Sequence, residues 1–127
     1  MRIFKTRWFA RFARQERITD ASLQEAIARA ERGLIDADLG GGLIKQRVAR
    51  KGQGRSGGYR MIVAYREKDR AVFFYGFPKS ERENIDRDEL LTMREIAAEF
   101  LARDSGQIEE AIQNGKIEEV QNGHEEA

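Results

Sequence analysis

The stretch Gly-Gly-Tyr-Arg-Met-Ile-Val-Ala-Tyr-Arg-Glu-Lys-Asp-Arg-Ala-Val-Phe-Phe-Tyr-Gly-Phe, residues 57–77, has the pattern of a β-hairpin. From 59 to 66 the side chains alternate between two faces, which is typical of a strand. Residues 71–77 are apolar throughout, as expected of a central strand covered on both faces. The charged segment 67–70 between them predicts the turn. The hairpin therefore predicts that a sheet forms the centre of the protein.

The segment before this hairpin predicts a further strand. Over residues 43–49, Lys45 and Arg47 leave the same face because side chains alternate along a strand. Residues 36–42 end in three glycines and predict a loop. If the strands pair in sequence order, Arg60 comes close to Lys45 and Arg47.

Helical patterns flank the sheet. Residues 2–6 predict a short strand, after which Thr6 can cap a first helix. Two pairs with capping-box spacing predict the starts of further helices: Ser22 with Glu25, and Asp86 with Glu89. Helices, then an antiparallel meander, then helices make an α+β fold. We expect one domain over residues 1–120 and a frayed acidic tail over 121–127.

The charge is distributed unevenly, although the chain has a net charge of only +1. Residues 41–70 carry nine bases and two acids, whereas residues 81–127 carry fourteen acids and five bases. A basic front with an acidic back is typical of a protein that binds a polyanion on one surface.

The residue inventory excludes several chemistries. The chain has no cysteine, which excludes disulfides and thiolate metal sites and favours a cytoplasmic setting. Its only histidine, His124, lies in the acidic tail, so a ribonuclease with paired imidazoles is excluded. Acids are scarce near the basic segment, and Asp36 and Asp38 are better explained as loop residues, so a two-metal phosphodiesterase lacks ligands. We expect no cofactor, no signal peptide and no membrane span, which needs ~20 apolar residues.

Residues 52–57, Gly-Gln-Gly-Arg-Ser-Gly, match the dinucleotide-binding fingerprint by letter. That fingerprint requires a helix after it, whereas the segment that follows alternates like a strand, so we reject this interpretation. Residues 51–58 instead predict a mobile basic loop whose glycines let the backbone approach a phosphate chain. Lys51 and Arg55 in this loop are candidate RNA contacts.

The cations on and after the strands could hold a phosphodiester and its neighbours. The candidates are Lys45, Arg47, Arg60, Lys79 and Arg82. A solvated sheet face is the alternative, and the charges alone leave both open. RNA carries its own nucleophile, the 2′-hydroxyl. Cations that orient it, stabilise the phosphate charge and move protons could therefore cleave RNA without a metal or a histidine.

Aromatic side chains offer a second kind of RNA contact. Tyr65, Tyr75 and Phe77 lie on the second and third predicted strands, and an exposed ring there could stack on a base. Core packing is the alternative, and it is favoured for Phe73 and Phe77.

Two segments resemble the RelE/HigB-like toxins of bacterial type II toxin–antitoxin modules. They are residues 57–66, with Gly-Gly-x-Arg opening a strand, and residues 72–85, which end in aromatic-x-Lys-x-Glu-Arg-x-Asn-Ile. Residues 41–47 and 4–9 also fit this group, and the similarity covers most of residues 3–120.

The resemblance implies two N-terminal helices packed on a small, mainly antiparallel sheet with C-terminal helices. It also implies a metal-independent mRNA endonuclease that inhibits translation, in most relatives on the ribosome, and an antitoxin partner, often a helix-turn-helix protein. The matched positions are Lys45, Arg47, Arg60 and Lys79, with Arg55 and Arg82 beside them. Relatives often have a catalytic tyrosine near the C-terminus, but residues 86–127 contain none, which leaves the general base open. Two alternatives remain: a ParE-like toxin that inhibits gyrase without cleavage, and a non-toxic nucleic-acid-binding remnant.

Overall fold

The computed structural model describes residues 1–49, 58–82 and 84–121. Within them it has strands β1 (Arg2–Thr6), β2 (Ala37–Gly40), β3 (Leu43–Val48), β4 (Tyr59–Arg66), β5 (Arg70–Pro78) and β6 (Ile117–Glu119). Its helices are α1 (Arg7–Glu16), α2 (Asp20–Glu31), α3 (Arg87–Ala102) and α4 (Ser105–Gln113). The strands form one sheet in the order β2-β3-β4-β5-β1-β6. The predicted α+β class is confirmed.

The sheet is mainly antiparallel, as the resemblance implies. The exception is β1, which pairs in parallel with β5 on one side and antiparallel with β6 on the other. The sequence predicts a loop over residues 36–42. This prediction is wrong, because β2 forms there and pairs with β3. Gly42 makes this turn possible: its φ is +84°, and a Cβ at this position would lie 2.5 Å from Leu101 Cδ1.

Two apolar cores lie on opposite faces of the sheet. On the first face, α1 and α2 pack over Ile44, Met61, Val63 and Phe73. On the second face, α3 and α4 pack over a different set: Phe4, Leu43, Ile62, Ala64, Val72 and Phe74. Burial on both faces explains why β4 and β5 read as nearly continuous apolar runs. Among the described helices, none is long and apolar enough to span a membrane.

A bulge between β4 and β5 decides which aromatic side chains face which core. Ile62 pairs with Tyr75 while the next residue, Val63, pairs with Phe73, so Phe74 is the extra residue. Strict alternation would put Phe73, Tyr75 and Phe77 on one face. The bulge instead sends Phe73 to the α1–α2 core and leaves Tyr75 and Phe77 on the α3 side.

The helix starts follow capping chemistry, with one correction. Thr6 caps α1 as predicted, and Asp86 with Glu89 forms the predicted capping box of α3. The second helix is different, because Thr19 rather than Ser22 is its cap and accepts a hydrogen bond from the Ser22 nitrogen. Thr19 and Ser22 both carry a hydroxyl that can cap a helix. The capping-box spacing therefore does not tell which of them begins α2.

Gly76 lies where β5 passes under α1, and we expect Gly76→Ala to destabilise the protein. A Cβ there would lie 2.9 Å from Phe12 Cε2 and 3.0 Å from Met61 Sδ. Overpacking a filled core costs about 1–3 kcal/mol, measurable as a lower urea midpoint. The matched control is Gly106→Ala in α4, where the nearest atom is Asp104 Oδ1 at 3.4 Å. The control should be neutral or slightly stabilising, and an equal loss in both variants would contradict this packing.

Candidate functional site

The register of β3, β4 and β5 brings the predicted cations onto one face. Arg47 pairs directly with Arg60, and Arg60 pairs on its other side with Phe77. One step along the sheet, Lys45 pairs with Ile62. Directly opposite side chains in an antiparallel sheet leave the same face with their Cβ atoms about 5 Å apart. This face is the one that α3 covers further along β4. At the sheet edge, the Arg47 side chain also lines a pocket with Asp36 and with Arg29 of α2.

The backbone of Lys79 lies near this group, just after β5. It lies two residues beyond Phe77, and its backbone nitrogen donates to the Gly58 carbonyl over 2.9 Å, which holds it beside the start of β4. We call Lys45, Arg47, Arg60 and Lys79 the cationic patch. Two further predicted contacts, Lys51 and Arg55, lie outside the described residues.

Arg60 is the buried member of the patch. Only 4% of its surface is exposed, and one Nη1 contact reaches the Tyr59 carbonyl at 3.5 Å. Removing a guanidinium from water is costly, so a buried guanidinium needs hydrogen-bond partners, of which the Tyr59 carbonyl is one. Burial also restricts the rotamers of Arg60, which fixes the position of its charge between Arg47 and Phe77.

Arg47 is more exposed and has a carboxylate partner. Its Nε donates to Asp36 Oδ1 over 2.7 Å, and the Asp36 side chain is mostly buried. Asp38, the second of the two acids, has a different role. Its Oδ1 accepts a hydrogen bond from the Gly40 nitrogen and so shapes the turn after β2. The sequence interpretation of both acids as solvated loop residues therefore misses the ion pair that orients Arg47.

Asn84 is a site residue that the list of charged candidates omits. The Lys45 Nζ donates to Asn84 Oδ1 over 3.2 Å. The same residue is held from behind, because Arg82 Nε donates to the Asn84 carbonyl over 2.9 Å. The sequence does point to Asn84, because this residue belongs to the motif in residues 72–85 on which the family resemblance rests. A search for charged groups alone passes over it.

Arg82 braces the site from one side. Its guanidinium lies over the Phe77 ring, 5.3 Å from the ring centre, and it forms a two-point ion pair with Glu89 in which Nη1 donates over 3.1 Å. Glu89 also accepts from the Asp86 nitrogen in the capping box of α3. We call this the Arg82 brace: it ties Phe77 on the sheet, the loop at Asn84 and the start of α3 together. The predicted RNA contact at Arg82 thus has structural partners for its guanidinium.

Tyr65, a predicted RNA contact, lies apart from the patch. It faces the α1–α2 core with 9% of its surface exposed, and its hydroxyl donates to Glu31. Burial and the Glu31 carboxylate raise the pKa of Tyr65 above its ordinary value. Tyr75 is the tyrosine on the patch side, half-buried, with its ring centre 6.0 Å from that of Phe77 and 5.0 Å from that of Trp8.

We expect the stability that the Arg82 brace contributes to depend on pH. Hydrogen bonds from Arg82, and then from the Asp86 backbone, lower the pKa of Glu89 from 4.5 to about 2. Because the folded-state pKa is depressed, the brace contributes stability above pH 4.5 and loses it as the pH falls towards 2. In a carboxyl NMR titration we expect Glu89 to titrate near pH 2, and to move towards its ordinary value in Arg82→Met.

The Asp86 nitrogen still donates to Glu89 in that variant, so the return towards the ordinary pKa should be incomplete. Arg87→Met is the matched control. It removes a nearby positive charge that takes no part in the ion pair between Arg82 and Glu89. A wild-type Glu89 that titrates near 4.5 would show that the brace does not form.

Comparison with known proteins places the chain in one family. Searches of curated proteins and of solved structures each found no significant match. A family model described as the RelE toxin of the RelE/RelB toxin–antitoxin system matches residues 1–120. That match spans all the described helices and strands and the whole cationic patch. The chain therefore belongs to the RelE toxin family and is the toxin component of a toxin–antitoxin system.

Proposed function

We propose that this toxin is an mRNA endonuclease whose active site is the cationic patch. The observation that carries the proposal is the strand register, which puts Lys45, Arg47 and Arg60 on one sheet face with Arg60 buried. Family membership supports RNA as the polyanion. The acidic surface of α3 and α4 supports one direction of approach, because phosphates are repelled there and attracted to the patch.

The proposed reaction uses the nucleophile that RNA supplies. The 2′-hydroxyl oxygen attacks the adjacent phosphorus, the O2′–P bond forms and the P–O5′ bond breaks. The products are a 2′,3′-cyclic phosphate and a 5′-hydroxyl. The proton of the 2′-hydroxyl passes to solvent water, and Asp36 stays paired with Arg47. The proton that the leaving oxygen needs comes from the Lys45 ammonium.

The arginines have a different role in this scheme. A guanidinium stays charged and binds phosphate oxygens at two points, which suits the charge that develops in the transition state. Arg60 is fixed by burial, so little reorganisation is needed when that charge appears. Lys79 and Asn84 flank the phosphate, and Asn84 positions the Lys45 amine through their hydrogen bond.

The proposal extends to the biological setting. We propose that cleavage occurs on the ribosome, where a captured mRNA is held against the patch, and that the result is inhibition of translation in the cytoplasm. The antitoxin that family membership implies is proposed to be a helix-turn-helix protein.

Substitution in the patch tests the nuclease proposal. Arg60→Met and Lys45→Met should each lower RNA cleavage by about 100- to 1000-fold, the usual effect of losing one transition-state contact. Growth arrest after induction should disappear with cleavage. Primer extension on cellular mRNA measures the new 5′ ends, and a 2′-deoxy substitution at the cleaved position should abolish the cut in the wild-type protein.

The matched control is Arg66→Met. Arg66 lies on the same strand as Arg60 but at the hairpin end, where it pairs with Asp69. Thermal unfolding of each variant separates loss of chemistry from loss of fold, which matters because Arg60 is buried. A fully toxic Arg60→Met would refute the proposed site. Growth arrest without new 5′ ends would instead indicate a binding toxin such as a gyrase inhibitor.

A further inference from the structure

A groove of about 460 Å³ lies between Trp8 and one side of α3, next to the cationic patch but distinct from it. Its walls are mainly apolar: Trp8, Phe74, Tyr75, Thr92, Met93 and Ile96. Two acids, Asp88 and Glu89, line it where α3 begins. The nuclease proposal uses none of the apolar residues. A groove of this size with few polar groups has the character of a binding surface.

Trp8 gives the groove a rigid aromatic wall. It is the only tryptophan of the chain and 47% of its surface is exposed. Its ring stacks on Phe12 at 5.4 Å and packs against Tyr75 at 5.0 Å, so two neighbours fix its orientation. An exposed tryptophan held in this way loses little entropy when a partner covers it, which is typical of residues that dominate binding energy.

The charge around the groove indicates what kind of partner fits. Asp88, Glu95 and Glu99 follow each other at i, i+7 and i+11, so they lie along the same side of α3 as the groove residue Thr92. All three are exposed. From 86 to 113 the chain carries eight acids and three bases. Such a rim repels the phosphates of RNA and attracts a peptide that carries lysine or arginine.

We propose that this groove is the docking surface for a segment of the antitoxin that combines apolar or aromatic anchors with basic residues. The anchors fill the space beside Trp8, and the basic residues pair with Asp88, Glu95 and Glu99. The inference rests on the toxin–antitoxin family and not on the cleavage mechanism. An occupant of the groove contacts Tyr75, whose ring lies beside that of Phe77, and Glu89, which belongs to the Arg82 brace. Bound antitoxin therefore lies at the edge of the patch.

Trp8 itself supplies the measurement. The full-length antitoxin from the neighbouring reading frame, with any tryptophan replaced by phenylalanine, is titrated into the full-length toxin. We expect the Trp8 emission to shift to shorter wavelength and acrylamide quenching to fall. Thr92→Arg should weaken binding by about tenfold or more because it places a long cation in the groove. Ala98→Arg is the control, since Ala98 is exposed on another side of the same helix.

A charge-reversed pair tests the partner chemistry. Glu95→Lys combined with Glu99→Lys should lower the affinity and flatten its dependence on salt, whereas Glu110→Lys on α4 should do neither. Thr92→Arg should retain RNA cleavage and toxicity while losing neutralisation, which separates this inference from the nuclease proposal. The inference is overturned if Trp8 stays equally quenchable in the complex, or if Thr92→Arg binds antitoxin with wild-type affinity. Protection of Trp8 by a single-stranded RNA but not by antitoxin would also overturn it.

Discussion

The pairing register of β4 with its two neighbours is the constraint on which the site depends. Arg60 meets Arg47 on one side and Phe77 on the other because β4 is antiparallel to both partners. A slip by one residue would turn each of these side chains to the opposite face. Apolar packing prevents the slip, since Met61 and Val63 fill one core while Ile62 and Ala64 fill the other. The core therefore fixes where the charges lie.

Charge separation organises the rest of the surface. The bases of the cationic patch on the sheet are carried by β3 and β4, while the acids are concentrated on α3 and α4. The Arg82 brace lies at the boundary, where Arg82 and Glu89 neutralise each other and attach the acidic helix to the sheet. Each sign of charge then has its own proposed role: the positive surface for RNA and the negative surface for a basic polypeptide.

Much of this arrangement is predictable from sequence, and the failures have physical causes. Alternation and apolar runs predict β3, β4 and β5, and antiparallel pairing then brings Lys45, Arg47 and Arg60 together. The pairing of β1 with β5 is not predictable from local pattern, because its partners are distant in sequence. The sequence does not reveal the bulge at Phe74 either, since every residue nearby is apolar and fits either face. The bulge leaves Tyr75 on the patch side, whereas Tyr65, the other candidate, is buried against the α1–α2 core. Asn84 emerges only when the loop is folded against Lys45.

The parallel strand β1 has a consequence for synthesis of the protein. It is synthesised before both of its partners, which are residues 70–73 and 117–119. Because loop closure over such distances precedes any gain in contacts, β1 stays unpaired until residues 70–73 are available, and its second partner arrives later. Trp8 lies in α1, directly after β1, whereas the other residues that line the groove come from β5 and α3. The surface proposed for the inhibitor therefore exists only once segments from both halves of the sequence have packed together.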